Sequence, residues 1–153
     1  MLILCCAKKH IFVLKHYNNF LVLFFSEKIA FHASLSSDIR GTTVGQTIVF
    51  NQVDTNLGVF TAPVAGTYVF SLTFFLYYGS SSYSTDGYLE IIINSVVKLS
   101  VYQENNGLNS HGTGSGTTVL LLTKGDEVHV SAERSRMHIV GYSKSFFSGF
   151  MLW

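Results

Sequence analysis

Three stretches of this chain are apolar on both faces when they are read as β-strands, and this limits the folds available to it. The stretches are Tyr68–Leu76, Val119–Leu122 and Phe146–Trp153. Neighbouring residues of a strand point to opposite faces of its sheet, so both faces of these strands need cover. A two-sheet sandwich covers only one face of each sheet. The second face therefore predicts a partner outside the monomer.

Alternation alone does not decide which face of the longest stretch is the core. Either Phe70, Leu72 and Phe74 fill the sandwich while Val69 and Phe75 face a subunit interface, or the two sets exchange roles. The residues expected in the core or in a trimer interface are Tyr68, Phe70, Leu72, Phe74, Leu120, Leu122, Phe147, Phe150 and Leu152.

The remaining pattern is one of short strands and turns, without a helical stripe, in a sequence with one proline and 13 glycines. The predicted strands are Phe31–Leu35, Thr47–Val53, Gly58–Ala62, Thr67–Tyr78, Tyr88–Ile93, Val96–Tyr102, Thr117–Leu122, Glu127–Glu133 and Ser145–Trp153. Asn94-Ser95 predicts a two-residue hairpin turn, because Asn tolerates positive φ. The Gly- and Asn-rich segment from Gln103 to Gly116 is predicted to be a loop. Short strands spaced in this way indicate an all-β sandwich or barrel.

Charge and cysteine content exclude several classes of protein. The formal net charge is +1 with no basic run beyond Lys8-Lys9, so the electrostatic footprint of a nucleic-acid-binding protein is missing. The only cysteines, Cys5 and Cys6, are adjacent, so the rest of the chain has neither an internal disulfide framework nor a cysteine metal site. The apolar runs Leu2–Ala7 and Phe20–Phe25 fall short of the ~18 to 20 residues that span a bilayer.

Met1 to Lys28 is predicted to be a leader outside a single domain at residues 29–153. A secretory signal needs a longer apolar stretch and small residues before the cleavage point, whereas Phe24 and Phe25 precede Ser26 here. Three alternatives stay open for this segment: a degenerate signal, a poorly structured leader, and a piece that is not native to the mature protein.

Several motifs resemble the globular head domain of complement C1q. The segment Gly58–Phe70 is similar to the signature at the start of the central strand of that family. Further similar segments, in the family's order, are Ala30–Ala33, Ile48–Phe50, Thr55-Asn56, Lys124–Val128 and Phe147–Leu152. The resemblance covers Ile29 to Trp153. It implies a ten-stranded, tumour-necrosis-factor-like jelly roll that forms a trimer, with one sheet packed around the threefold axis.

The sequence departs from the family's pattern in two places. Between Asn56 and Gly58 the family has a longer loop that carries a tyrosine, and here only Leu57 stands there. We expect this change to shorten one end of the sandwich. No Gly-X-Y run precedes Phe31, so the collagen stalk of many relatives is absent from this sequence.

The segment Gly112–Gly116 has the composition of a catalytic loop but not the spacing. A phosphate-binding loop needs Lys followed by Ser or Thr after its last glycine, and a nucleophile elbow needs glycines two residues on either side of the serine. Thr113 occupies one of those glycine positions. We therefore predict no catalytic residues and interpret this segment as a flexible loop.

No metal site is predicted from the histidines and carboxylates. His111 and His138 are expected in loops and His129 on the polar face of a strand, and no two of them share a ligand spacing. The carboxylates lack the Asp-x-Asp spacing of a calcium loop. The resemblance implies that some relatives bind calcium near the trimer apex, but no calcium ligand can be assigned here, and no other cofactor is expected.

Arg134, Arg136 and Tyr142 are the candidate ligand-binding residues. The two arginines, with Lys144 nearby, form the only cationic cluster of a charge-poor domain. Guanidinium groups can hold an anionic ligand by paired hydrogen bonds. The alternative is an ordinary solvated loop.

The resemblance implies a secreted, non-enzymatic recognition module that binds carbohydrate, microbial surfaces or protein ligands as a homotrimer, in innate immune recognition. Three copies of a weak site would strengthen such binding. The alternative is an extracellular signalling ligand, hormone-like or tumour-necrosis-factor-like, for a cell-surface receptor.

Overall fold

The structure, a computed structural model, describes residues 10–13, 23–26, 29–51 and 58–152. These residues form thirteen strands and no helix. The strands are β1 (His10–Val13), β2 (Leu23–Ser26), β3 (Ala30–Ser34), β4 (Ile39–Arg40), β5 (Gln46–Thr47), β6 (Val59–Thr61), β7 (Gly66–Tyr78), β8 (Asp86–Ile93), β9 (Val96–Glu104), β10 (Ser110–Leu122), β11 (Glu127–Ala132), β12 (His138–Ile139) and β13 (Phe146–Met151).

Eleven of the strands form two antiparallel sheets that pack face to face. The first sheet has the order β3-β13-β7-β12-β4, and β10 pairs with the other edge of β7. The second sheet has the order β5-β11-β8-β9, with β6 also paired to β11. The predicted all-β jelly-roll sandwich is confirmed. The resemblance implies ten strands, and three of the eleven strands are only two residues long.

Strand β7 runs through the middle of the first sheet, and its side chains alternate between two environments. Tyr68, Phe70, Leu72 and Phe74 are each 0% exposed. They pack in one core with second-sheet residues such as Ile91. Full burial of one such side chain stabilises a fold by about 1.5–3 kcal/mol. Of the two arrangements that the sequence left open, the structure therefore has these residues in the core, and Val69 and Phe75 on the opposite face.

The segment Gln103 to Gly116 is not the loop predicted from its composition. Strand β9 continues to Glu104, and β10 begins at Ser110 and pairs with β7 over its whole length. The glycines of β10 lie where other side chains already fill the space. A Cβ added at Gly114 would lie 2.6 Å from a ring carbon of Phe74. These glycines therefore reflect close approach within the sandwich rather than a turn.

The strand predicted over Thr47–Val53 is also shorter than expected. Only Gln46 and Thr47 belong to β5, although the backbone N–H of Ile48 still donates to the carbonyl oxygen of Val130 at 2.8 Å. Ile48 and Phe50 are both buried in the core. Their alternation therefore reflects burial in an irregular segment. Val53, and the corner at Leu57 that we expected to be shortened, lie outside the described residues.

The hairpin predicted at Asn94-Ser95 is confirmed. Ile93 pairs with Val96, and the two turn residues have φ values of 47° and 69°. The Asn94 side chain also donates to Asp126 Oδ1 at 2.8 Å and accepts from the Glu127 backbone N–H at 3.0 Å. It thereby ties this turn to the next one along the same end of the sandwich.

Strands β1 and β2 pair with each other in a separate two-stranded sheet, from His10 opposite Ser26 to Val13 opposite Leu23. The sequence did not lead us to expect strands in this part of the chain.

Within the described ranges there is no helix of the length and apolar character needed to cross a membrane.

Candidate functional site

The outward side of the first sheet carries a row of uncovered apolar side chains. Val69 on β7 lies between Val119 on β10 and Phe150 on β13 in the strand register. Leu121 is 83% exposed, Val119 59% and Phe150 46%. We call Val69, Val119, Leu121 and Phe150 the apolar face. Contiguous exposed apolar surface of this kind marks a site of association.

Hydroxyl groups occupy the middle of the same sheet surface. Ser71 and Thr117 share a hydrogen bond of 2.9 Å, and Thr73 and Ser115 share another of 2.9 Å. Each hydroxyl therefore has a partner within its own subunit. Each pair uses one of its two O–H donors internally, so a covering protein surface would need to supply one acceptor per pair to avoid the cost of burying an unsatisfied polar atom.

An aromatic cluster lies at the far end of this surface from the apolar face. The His111 ring stacks on Tyr77 at 4.6 Å between ring centroids and lies 5.3 Å from Phe75. The Lys144 ammonium is 5.4 Å from the centroid of the Phe75 ring. The prediction that His111 lies in a loop is therefore wrong, because β10 begins at Ser110 and includes it.

His138 was also predicted to lie in a loop, and it is instead a buried residue of β12. Its Nε2 lies 2.9 Å from Asp38 Oδ2, and the rings of Tyr77 and Tyr83 pack against it. Burial raises the pKa of Asp38, but hydrogen bonds from the Gly141 N–H and His138 lower it by more, so it lies below its ordinary value. This pair links β12 to the chain before β4.

The three residues predicted to bind a ligand occupy two separate loops. Arg134 Nη1 lies 3.0 Å from Asp86 Oδ1, so the Arg134 guanidinium already has a carboxylate partner in its own subunit. Arg136 and Tyr142 are exposed. Their φ values are 59° and 52°. In the described part of the chain, no hydrogen bond, ion pair or ring contact joins the three side chains to one another.

The core and interface candidates divide as follows. Six of them are buried, namely Tyr68, Phe70, Leu72, Phe74, Leu122 and Phe147. Leu120 is partly buried against the core, and Phe150 and Leu152 are exposed.

Among the described residues, no group of three or more His, Cys, Asp or Glu side chains is placed to hold a metal ion.

A further cluster was not predicted from the sequence. The rings of Tyr88 and Tyr102 lie 4.6 Å apart on the second sheet, and the Arg134 guanidinium lies 5.8 Å from the Tyr88 ring centroid. Tyr102 is 45% exposed. Two tyrosines packed ring against ring on a strand pair combine an apolar surface with polar hydroxyl edges, as many recognition surfaces do.

A two-sheet antiparallel sandwich with one uncovered sheet surface defines a jelly-roll domain of the tumour-necrosis-factor-like class. Solved structures agree with this assignment. The globular domain of zebrafish complement 1qA superposes with a TM-score of 0.63 at 22% identity, covering 81% of this chain and 97% of that one. Eiger TNF from S. frugiperda gives a TM-score of 0.69 at 13% identity, over 82% of this chain and 93% of that one. At these identities the likeness establishes the fold alone.

Sequence comparison defines the family within this class. The family model described as the C1q domain matches residues 30–152. The chain therefore belongs to the C1q domain family.

Two curated relatives are similar over most of this chain. Caprin-2 of Danio rerio is 31% identical over 134 residues, covering 82% of this chain and 14% of that protein. Complement C1q tumor necrosis factor-related protein 3 of Mus musculus is 31% identical over 135 residues, covering 82% of this chain and 52% of that protein. The chain thus spans about half of one relative's length and a much smaller part of the other's.

Proposed function

We propose that this domain works as a homotrimeric, non-enzymatic recognition module outside the cell. The observation that carries the proposal is the apolar face of the first sheet. Three of its four side chains are exposed and Val69 is half-buried, although the chain has a complete core of its own. Two further copies of the same domain, arranged around a threefold axis, are the occupants that we assign to it.

The energetics favour association through this surface. Complete burial of a fully exposed Leu, Val or Phe side chain contributes about 1.5–3 kcal/mol. Each subunit supplies the exposed Val119, Leu121 and Phe150 beside the half-buried Val69. The hydroxyl strip beside them has half of its O–H donors satisfied within each subunit, which lowers the cost of covering it. Closed point-group symmetry with three equal contacts would also leave no part of the apolar face free for further growth.

For the ligand, we propose carbohydrate, microbial surface or protein groups bound by loops, in the setting of innate immune recognition. Loops held by a rigid scaffold commonly carry binding residues. Arg136 and Tyr142, with Arg134, remain the candidates for an anionic ligand. Three copies on one trimer would convert weak individual contacts into stable attachment.

The assembly is tested with Leu121→Glu in the full chain. We expect the parent protein to sediment as three chains and the variant as single chains, because a trimer would bury three carboxylates in an apolar interface. Far-UV circular dichroism should be unchanged, since Leu121 is exposed in the single chain. Val97→Glu is the matched control, because Val97 is an exposed apolar residue of the second sheet and its variant should remain trimeric. A trimeric Leu121→Glu variant would refute the assignment of this surface.

The recognition role is tested by a glycan and bacterial-surface binding screen with parent and Leu121→Glu proteins. We expect the parent to bind and the single-chain variant to bind much more weakly, through loss of avidity. The second candidate is a receptor ligand, favoured by the likeness to complement C1q tumor necrosis factor-related protein 3. Tight binding to one cell-surface receptor with no glycan or bacterial binding would establish that role instead.

A further inference from the structure

We propose that the tyrosine pair on the second sheet is a binding site for a cationic side chain, arginine or lysine, of a partner protein. The site consists of Asp86 and Tyr88 on β8 and of Tyr102 and Glu104 on β9. This proposal rests on the recognition role proposed above, because it names the class of partner that the domain would recognise. The whole site lies within one subunit, so it does not depend on how the subunits assemble.

The strand register makes this site from two similar halves. Tyr88 lies opposite Tyr102, and Asp86 lies opposite Glu104. Residues two apart on a strand share a face, so each half has one tyrosine ring beside one carboxylate. Two carboxylates directly opposite each other on paired strands repel, and a cation placed near either one relieves that repulsion.

One half already holds a cation from the same chain. The Arg134 guanidinium lies 3.0 Å from Asp86 and 5.8 Å from the centroid of the Tyr88 ring. It therefore combines a charge-assisted contact with a cation–π contact. This arrangement demonstrates in the protein itself that a tyrosine and a carboxylate at this spacing accept a guanidinium group.

The other half has the same chemistry and is open to solvent. Tyr102 is 45% exposed, and Glu104 is an exposed residue that forms no salt bridge within the described part of the chain. Partial burial and the Glu104 and Asp86 carboxylates raise the pKa of Tyr102, which agrees with a negative potential at this half of the site.

Two further glutamates are neighbours of Tyr88 in the second sheet. Glu90 follows Tyr88 by two residues on the same face of β8, and Glu133 donates its backbone N–H to the Tyr88 carbonyl at 3.1 Å. Arg134 neutralises one carboxylate, and neither Glu90 nor Glu133 forms a salt bridge in the described ranges. The local charge thus favours a cationic occupant over an anionic one, and the exposed ring supplies the cation–π surface.

The test is an NMR titration of the full chain, labelled with ¹⁵N, with N-acetyl-arginine amide. We expect saturable shifts at Tyr102 and Glu104, with a dissociation constant on the order of millimolar for one isolated side chain. The binding should weaken as sodium chloride is raised, because the pair is exposed. N-acetyl-citrulline amide has nearly the same shape without the charge and should produce no saturable shift.

Two substitutions measure what the individual charges contribute to this site. Glu104→Gln should weaken arginine amide binding about fivefold, the size expected for an exposed ion pair. Glu127→Gln is the matched control, because Glu127 is an exposed carboxylate at the start of β11 and its loss should change nothing. Arg134→Ala should free the Asp86–Tyr88 half and raise the stoichiometry from one arginine amide to two. Weaker arginine amide binding on loss of Arg134 would contradict the assignment of two equivalent halves, because Arg134 occupies the Asp86–Tyr88 half and can only compete with a second cation there.

Three results would overturn the inference. They are equal shifts with citrulline amide, unchanged affinity in Glu104→Gln, and saturable binding of a methyl glycoside at the same tyrosines with none of arginine amide. The last result would make the pair a carbohydrate site. Sedimentation of the same samples keeps the two proposals apart, because a trimer that binds no arginine amide refutes only the cationic site.

Discussion

Replacing Gly114 of β10 with alanine tests whether the glycines of this strand are required by packing. The new Cβ would lie 2.6 and 2.7 Å from two ring carbons of Phe74 and 3.2 Å from a methyl carbon of Val101. Phe74 is 0% exposed, so its ring cannot move aside into solvent. Overpacking of a filled core costs about 1–3 kcal/mol. The better backbone propensity of alanine recovers about 0.5–1 kcal/mol, so the net loss lies between about 0 and 2.5 kcal/mol. The 2.6 Å contact with a fully buried ring favours the upper part of that range, above about 1 kcal/mol.

The assay is urea unfolding followed by far-UV circular dichroism, with parent and variants at one protein concentration because subunit association contributes to stability. Thr113→Ala is the matched control, since Thr113 is exposed on the opposite side of the same strand, and it should change the free energy of unfolding by less than about 1 kcal/mol. Phe74→Leu makes room for the new methyl group, so it should cost less in the Gly114→Ala background than in the parent. A Gly114→Ala variant as stable as the parent would refute the packing argument.

Two further substitutions address the core and the contact between Asp38 and His138. Phe70→Ala should lower the free energy of unfolding by about 3–5 kcal/mol. The comparison is with Val69→Ala, and both are measured in the Leu121→Glu single chain. Equal losses of unfolding free energy in the two variants would contradict the assignment of the two faces. Asp38→Asn should cost about 1–3 kcal/mol at neutral pH, measured by urea unfolding, because contacts to His138 and Gly141 weaken. Since the folded-state pKa of Asp38 is depressed, its contribution is present above about pH 4 and is lost as pH falls through the folded pKa, so the cost of Asp38→Asn should shrink in acid. A cost that stays constant down to about pH 3 would show that the charge of Asp38 is not responsible.

Much of the fold could be predicted because the spacing of apolar residues indicates where the strands lie. The long strand around Phe70 and the hairpin at Asn94 both depend on neighbouring residues, and such local signals are present in the sequence. The segment Gly112–Gly116 was missed for the opposite reason. Its glycines accommodate Phe74 and Val101, which come from other strands, and composition alone does not separate such a site from a loop.

The candidate sites were harder to predict, because they depend on register and long-range pairing. A regular hairpin from Asn94-Ser95 would place Tyr88 opposite Val101. A register shift between Ile91 and Ile92 leaves Lys98 as an extra residue on β9 and brings Tyr102 opposite Tyr88 instead. The pairing of His138 with Asp38 likewise joins parts of the chain that lie far apart in sequence.

The position of β13 between β3 and β7 has a consequence for how the protein is made. The first strand of the domain pairs with the last one, so the first sheet cannot close until Phe146–Met151 has left the ribosome. Until then β7 presents an unpaired edge and an apolar surface to the cytosol or the translocation channel. Such edges and surfaces promote aggregation of nascent chains. We therefore expect the yield of folded protein to depend on chaperones that hold the chain during synthesis, and slower translation to increase that dependence.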